Sequence, residues 1–142
     1  MLDFESGVFP KYREHLRYRN LGGRLRNVLH KAVPVIGARV SAQVAGRLLA
    51  RHGLARNDID WWVVHPGGSS VLDRIQKELG LSPDQLRFSR EVLQQYGNMS
   101  SPSVMFVLDK ILREGEPRKG QKGLLLSFGA GFTAFASLVE FL

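Results

Sequence analysis

The chain has 142 residues, 44% of them apolar, which fits one domain with a real core. It has no cysteine, which excludes a disulfide framework and thiolate metal sites, and its four histidines (His15, His30, His52, His65) show no metal-ligand spacing, so no metal is expected. The net charge of +7 is uneven: residues 1–56 carry 11 Lys and Arg against 3 Asp and Glu, a net of +8, whereas residues 57–142 carry 9 against 10, a net of −1.

In chain order, residues 1–24 contain Pro10, Gly22 and Gly23 with no sustained period and read as a loop-rich, basic leading segment. Leu25 to Leu29 reads as a short strand. Pro34 suits the first turn of a helix, and Val35, Ile36, Val40, Val44, Leu48 and Leu49 recur at helical spacing, which predicts a helix over 35–52 closed by Gly53. Trp61-Trp62-Val63-Val64 is a short apolar run of the kind buried on both faces of a parallel sheet, and His65 stands at its end. Ser69 is a candidate cap for a helix whose Val71, Leu72, Ile75 and Leu79 form one face, with Gly80 as its stop. Ser101-Pro102 signals another helix start, and Val104, Met105, Leu108, Ile111 and Leu112 carry its stripe to Gly115. Gly123–Phe128 and Thr133–Phe141 read as antiparallel strands joined by the Gly129-Ala130-Gly131 loop. The pattern is α/β.

The basic first segment reads as a surface for anionic partners or as a solvated face. Its arginines are not interleaved with a nucleic-acid motif, so no nucleic acid is expected. No run approaches the ~18–20 apolar residues of a membrane span, and Asp3 and Glu5 stand where a signal peptide is basic and then apolar, so a cytoplasmic location is expected.

Three elements draw attention together. Alone, a histidine after a strand is more often structural than catalytic, and an asparagine before a helix is usually a turn residue. Ligands of open α/β sheets, however, bind beyond the carboxyl ends of strands. His65 is at such an end, Asn98 precedes a helix, and the glycine loop follows another strand, so the three are expected to converge on one crevice.

The strings His65-Pro66-Gly67-Gly68, Ser89-Arg90-Glu91-Val92-Leu93, Tyr96-Gly97-Asn98-Met99-Ser100-Ser101 and Phe128-Gly129-Ala130-Gly131, with 33 residues from His65 to Asn98, closely resemble the C-terminal part of type III polyketide synthases, the chalcone and stilbene synthase family. The resemblance is good over residues 25–142, taken as the domain proper, and looser over 1–24. Initiating-type ketoacyl carrier-protein synthases share the fold but have a different sequence after the histidine, and are the second reading.

The resemblance implies a thiolase-like fold, of which this chain supplies most of the second half, and an acyltransferase that condenses malonyl-CoA onto an acyl-CoA starter. Carried over by motif, His65 and Asn98 are the non-cysteine members of a Cys-His-Asn triad. Gly67 and Gly68 admit the pantetheine arm, Ser100 lies near the pocket or caps a helix, and Gly129, Ala130 and Gly131 shape the cavity beside the nucleophile. Coenzyme A thioesters are then substrates, no cofactor is needed, and the basic segment suits a coenzyme A phosphate or an acidic carrier protein.

The family's nucleophilic cysteine lies in the first half of its chain, so these residues are not expected to form an acyl-enzyme alone. Leu25-Arg26-Asn27-Val28-Leu29 also lacks the aromatic residue that plant members place ahead of the proline. The partners implied are a cysteine-bearing N-terminal half and a second copy, through an apolar helix face including Val104, Met105, Val107, Leu108 and Ile111. A non-catalytic interaction module is the alternative.

Overall fold

The computed structural model describes the whole chain, Met1 to Leu142. Strand β1 (Asp3–Val8) is followed by a 3-10 turn and a hairpin of β2 (Leu16–Leu21) and β3 (Arg24–Leu29). Helix α1 (Val33–Arg51) leads to β4 (Trp61–Val64), then to α2 (Ser69–Leu79), α3 (Arg87–Tyr96) and α4 (Pro102–Lys110), and the chain closes with β5 (Lys122–Gly129) and β6 (Thr133–Glu140). The main sheet runs β1-β6-β5-β4, with β4 parallel to β5 and the other neighbours antiparallel; β2 and β3 form a separate ribbon.

The pleat sends successive side chains to opposite faces, so the apolar run of β4 serves two cores. Trp62 and Val64 join Leu124, Leu126 and Leu138 beneath α1 and α2 in a cluster of 23 buried residues, while Val63 faces Phe88, Val92, Val107 and Ile111 in a cluster of 6 beneath α3 and α4. The disparity leaves the α3/α4 face of the sheet only partly covered: Phe4 of β1 and Phe135 of β6 are 60% and 48% exposed. Helix α1 lies against β6, β1 and β5, and at Gly37 it sits so close to the Phe128 ring that a β-carbon there would collide with it.

Residues 1–24 are more ordered than their sequence suggests. Strand β1 pairs with β6 along its whole length, Asp3 opposite Leu138 through Val8 opposite Thr133. Its α1-facing positions are charged rather than apolar: Arg51 reaches Asp3 and Glu5 at 3.0 and 2.7 Å, and Arg47 reaches Glu5 at 3.2 Å. One further expectation is corrected: Gly68, not Ser69, is the N-cap of α2. Ser101 stands at the N-cap of α4 with Pro102 in the first turn, as its sequence indicates, but its hydroxyl makes no capping bond; the hydroxyl of Ser103 accepts from the Met99 N–H at 2.8 Å. On α4 and the turn beyond it, Val107 and Ile111 are buried against the chain's own sheet, Val104 and Leu108 pack beside them, and the exposed apolar side chains are Met105, Phe106 and Leu112.

Candidate active site

His65 is fixed by the strand that precedes it. Its backbone N–H donates to the Leu126 carbonyl at 2.8 Å, extending the β4–β5 ladder by one residue. On the open side of β4, the Val64 N–H donates to the buried Ser89 hydroxyl at 3.3 Å, so α3 satisfies an edge group next to the histidine. The chain then turns tightly, the Gly67 N–H donating back to the His65 carbonyl at 2.9 Å, and Gly68 accepts from Val71 and Leu72 as α2 begins.

Asn98 reaches this turn from the loop between α3 and α4. Its Nδ2 donates to the Gly67 carbonyl at 3.0 Å and its Oδ1 accepts from the Ser100 N–H at 2.9 Å. Each end of the carboxamide has a partner of the correct polarity, which fixes its orientation and leaves one Nδ2 hydrogen unused. Ser100 adopts φ = 66°, a left-handed conformation uncommon for a residue with a side chain. The bond from Asn98 holds it there.

The third element is the β5–β6 loop. Phe128 stacks on the buried Phe132 with ring centroids 5.3 Å apart, and Thr133 Oγ1 donates to the Ala130 carbonyl at 3.0 Å. His65, Gly67, Asn98, Ser100, Gly129 and Ala130 line one cavity of about 260 Å³. Gly68 and Gly131 lie outside its lining and serve the turn and the loop. The opposite wall comes from the hairpin, through Leu16, Tyr18, Asn27 and Leu29. Strand register explains this wall, since Leu16 faces Leu29 and Tyr18 faces Asn27, placing all four on one side of the ribbon. Tyr18 had no signal in the sequence, because that register was unknown.

Burial alone holds the His65 imidazole below its ordinary pKa of 6.5, so the ring is neutral near pH 7. A neutral imidazole has one N–H to donate and one nitrogen able to accept a proton. With the spare Asn98 hydrogen, His65 and Asn98 give the cavity a pair of uncharged side-chain donors, beside the hydroxyls of Tyr18 and Ser100 and the Asn27 amide. Such a pair suits an oxygen on which negative charge develops during reaction.

Residues 10–141 match the sequence profile of the chalcone and stilbene synthases, C-terminal domain. The chain belongs to this family. Across 142 residues this chalcone and stilbene synthase domain is 35% identical to a 3,5-dihydroxyphenylacetyl-CoA synthase of Streptomyces toyocaensis, covering 99% of the chain and 36% of that protein. It superposes on PKS-I from the brown alga Ectocarpus siliculosus with a TM-score of 0.89 at 32% identity, covering 99% of the chain and 38% of that structure. It superposes on 1,3,6,8-tetrahydroxynaphthalene synthase of Streptomyces coelicolor, a bacterial type III polyketide synthase, with a TM-score of 0.88 at 33% identity, covering 96% and 39%. The fold is thiolase-like, and the chain spans little more than a third of the length of these relatives.

Proposed function

We propose that this domain supplies the oxyanion-stabilising part of a polyketide-forming acyltransferase, with His65 and Asn98 completing a triad whose cysteine comes from an N-terminal portion outside these residues. The observation that carries the proposal is the shared cavity of His65 and Asn98, in which the Asn98 carboxamide is locked with one hydrogen to spare.

The chemistry follows from where charge appears. When the bond between the carboxylate and the α-carbon of a malonyl thioester breaks, CO2 leaves and the electron pair spreads onto the thioester oxygen. The His65 N–H and the Asn98 Nδ2–H stabilise that enolate, a single such donor typically contributing about 3–4 kcal/mol. The enolate carbon then attacks the acyl group on the cysteine, forming the new carbon–carbon bond and expelling the thiolate. Before loading, the accepting nitrogen of His65 takes the thiol proton; the thiolate attacks the starter thioester, its carbonyl–sulfur bond breaks, and the expelled coenzyme A thiolate takes that proton from His65, which returns the ring to its neutral form. Coenzyme A thioesters are the substrates. Gly67, Ser100, Gly129 and Ala130 line their cavity, Gly68 and Gly131 shape the adjoining turns, and no cofactor takes part.

The test is CO2 release from malonyl-CoA by the full-length protein. His65→Ala or Asn98→Ala should lower it about 10²–10³-fold in protein that remains folded at the assay temperature, even though Asn98→Ala also gives up about 2 kcal/mol of stability with its two hydrogen bonds. A loss of decarboxylation no larger than the fraction of protein unfolded would assign the two residues a structural role instead.

A further inference from the structure

The β2–β3 ribbon has two unlike faces. Because side chains alternate across a strand, Leu16, Tyr18, Asn27 and Leu29 stand on the face that walls the His65 cavity, and Arg17, Arg19, Leu21, Arg24, Arg26 and Val28 stand on the other. The pairs on this outer face are Arg17 with Val28, Arg19 with Arg26 and Leu21 with Arg24, so four guanidiniums lie along a strip about 13 Å long.

Most of that charge is not neutralised within the chain. No Asp or Glu occurs between Glu14 and Asp58, and Glu14, which pairs with Arg13 and Arg17, is the one carboxylate that reaches the strip. Arg19, Arg24 and Arg26 are exposed and make no ion pair. Arg19 and Arg26 also face each other directly across the ribbon, a placement of like charges that weakens a two-stranded sheet already marginal in water. The fold gains nothing from it. Carboxylates of a partner would turn the same repulsion into attraction.

The composition of the strip selects the kind of polyanion. Leu21 and Val28 are interleaved with the arginines and no aromatic ring stands among them, so there is no platform on which a base of a nucleic acid would stack. The exposed Leu21 and Leu25 beside the turn point to opposite faces of the ribbon, so no single apolar face is offered to a bilayer. Arginines alternating with aliphatic side chains match a protein helix that sets acidic residues beside apolar ones, and arginine is a favoured anchor in such contacts.

We propose that the outer face of the ribbon docks an acidic acyl carrier protein, which delivers the starter as a protein-bound thioester. For the acyl cargo the inference rests on the condensing reaction proposed above; for the surface it rests on the arginine strip. The ribbon is one strand layer thick, so a carrier on its outer face stands beside the cavity that its inner face walls. The cysteine thiolate attacks the carrier's thioester, the carbonyl–sulfur bond breaks, and the released carrier thiolate takes the proton held by His65. The emptied carrier then has to leave. A few charge pairs beside two aliphatic side chains suit this, since they belong with the transient interfaces below about 1,200 Å².

The test measures calorimetric binding of a purified bacterial acyl carrier protein, without an acyl group, to the full-length protein. Wild type should bind it, and raising the salt from about 0.05 to 0.5 M should weaken the binding by screening. Arg19→Glu with Arg26→Glu should weaken it about tenfold or more, whereas Arg118→Glu with Lys119→Glu, an equal charge change on the loop before β5, should leave it unchanged. In turnover, the Arg19/Arg26 variant should lose kcat/KM about tenfold for the dodecanoyl carrier protein and keep the wild-type value for dodecanoyl-CoA, which also shows that it is folded. Equal losses for the two donors would overturn the proposal and assign the strip to the phosphates of coenzyme A. Absence of carrier binding at low salt, or charge-dependent binding to anionic phospholipid vesicles in its place, would overturn it as well. If wild-type protein binds the carrier through the strip but releases no CO2 from malonyl-CoA, the reaction proposed above falls and the docking surface stands.

Discussion

The carboxamide of Asn98 donates to the carbonyl of Gly67 at 3.0 Å, joining the loop before α4 to the turn that follows His65. Two segments that meet only in the folded chain are thereby set in one register at the cavity. The bond predicts different behaviour for two substitutions. Asn98→Asp keeps the acceptor for the Ser100 N–H but replaces the donor with an oxygen aimed at the Gly67 carbonyl. Asn98→Ala loses both bonds, at about 1 kcal/mol each. Decarboxylation by the full-length protein should be lost to a similar extent, about 10²–10³-fold, in both variants. A substantially active Asn98→Asp enzyme would show that the spare amide hydrogen is not used.

Gly67 offers a cleaner separation of folding from chemistry. A β-carbon there would lie 3.5 Å from His65 Cδ2, 3.6 Å from His65 Nε2 and 3.6 Å from Val71 Cγ1, all ordinary contacts. The fold therefore tolerates Gly67→Ala, and the reduced freedom of the unfolded chain should leave stability unchanged or raised by up to about 1 kcal/mol. The added methyl, however, occupies space beside the imidazole nitrogen. Decarboxylation is expected to fall at least about tenfold in a variant that melts no lower than wild type, as a 1 Å misplacement at a reacting centre can cost about 10²-fold. Full activity would mean that no substrate atom sits against that side of His65.

The depressed pKa of His65 gives a pH signature. Its cause is burial, which penalises the imidazolium, so the unfolded chain binds the proton more readily than the folded one. Stability from this group is fully present above about pH 6.5 and is lost as pH falls from there toward the lower folded-state value. An NMR titration of the His65 ring should give a midpoint below 6.5. A midpoint at or above 6.5 would mean that an anionic neighbour outweighs burial.

The sequence made some of this legible and hid the rest for physical reasons. The β4 run, the α2 stripe with Gly80, and the β5–β6 pair follow from periodicity and turn residues, and the structure places them within a residue or two of expectation. Helix α3 was not signalled, because its buried positions are only Phe88, Ser89 and Val92 amid charged neighbours, too few to mark a period. Strand β1 was hidden because Asp3 and Glu5, on its inward side, are neutralised by α1 arginines more than 40 residues away. In the site, the motif strings pointed to His65, Asn98 and the loop, but the hairpin wall required a cross-strand register that no local signal encodes.

That charged docking of β1 is testable in its own right. Arg51 binds Asp3, Glu5 and the Phe4 carbonyl. Asp3 is held below its usual carboxyl pKa, first by the bond from His52 and then by the Phe4 N–H. Because its folded-state pKa is depressed, its contribution is present above about pH 3.8 and is lost as pH falls through the lower folded-state value. Arg51→Ala should speed amide exchange in the β1–β6 pairing while exchange in the β4–β5 pairing is unchanged. Uniform acceleration across the sheet would show that β1 is integral to global stability and not a separately docked edge.

The partly covered face of the sheet bears on assembly. Phe4 and Phe135 project from adjacent strands on the side away from α1, and Met105, Phe106 and Leu112 are exposed on and just beyond α4, which packs on that same side. Apolar exposure beyond a few hundred Å² drives association in water. The isolated 142-residue polypeptide is therefore expected to self-associate, and a cysteine-bearing N-terminal portion is expected to cover this face and suppress that association. Phe4→Lys with Phe135→Lys should lower the oligomer fraction in light scattering without disturbing the α1/α2 core, since neither side chain contributes to it. A 15.9 kDa monomer at high concentration that binds no apolar dye would show that the face is stable in water and needs no partner. Such a result would favour an autonomous interaction module over one part of a condensing enzyme.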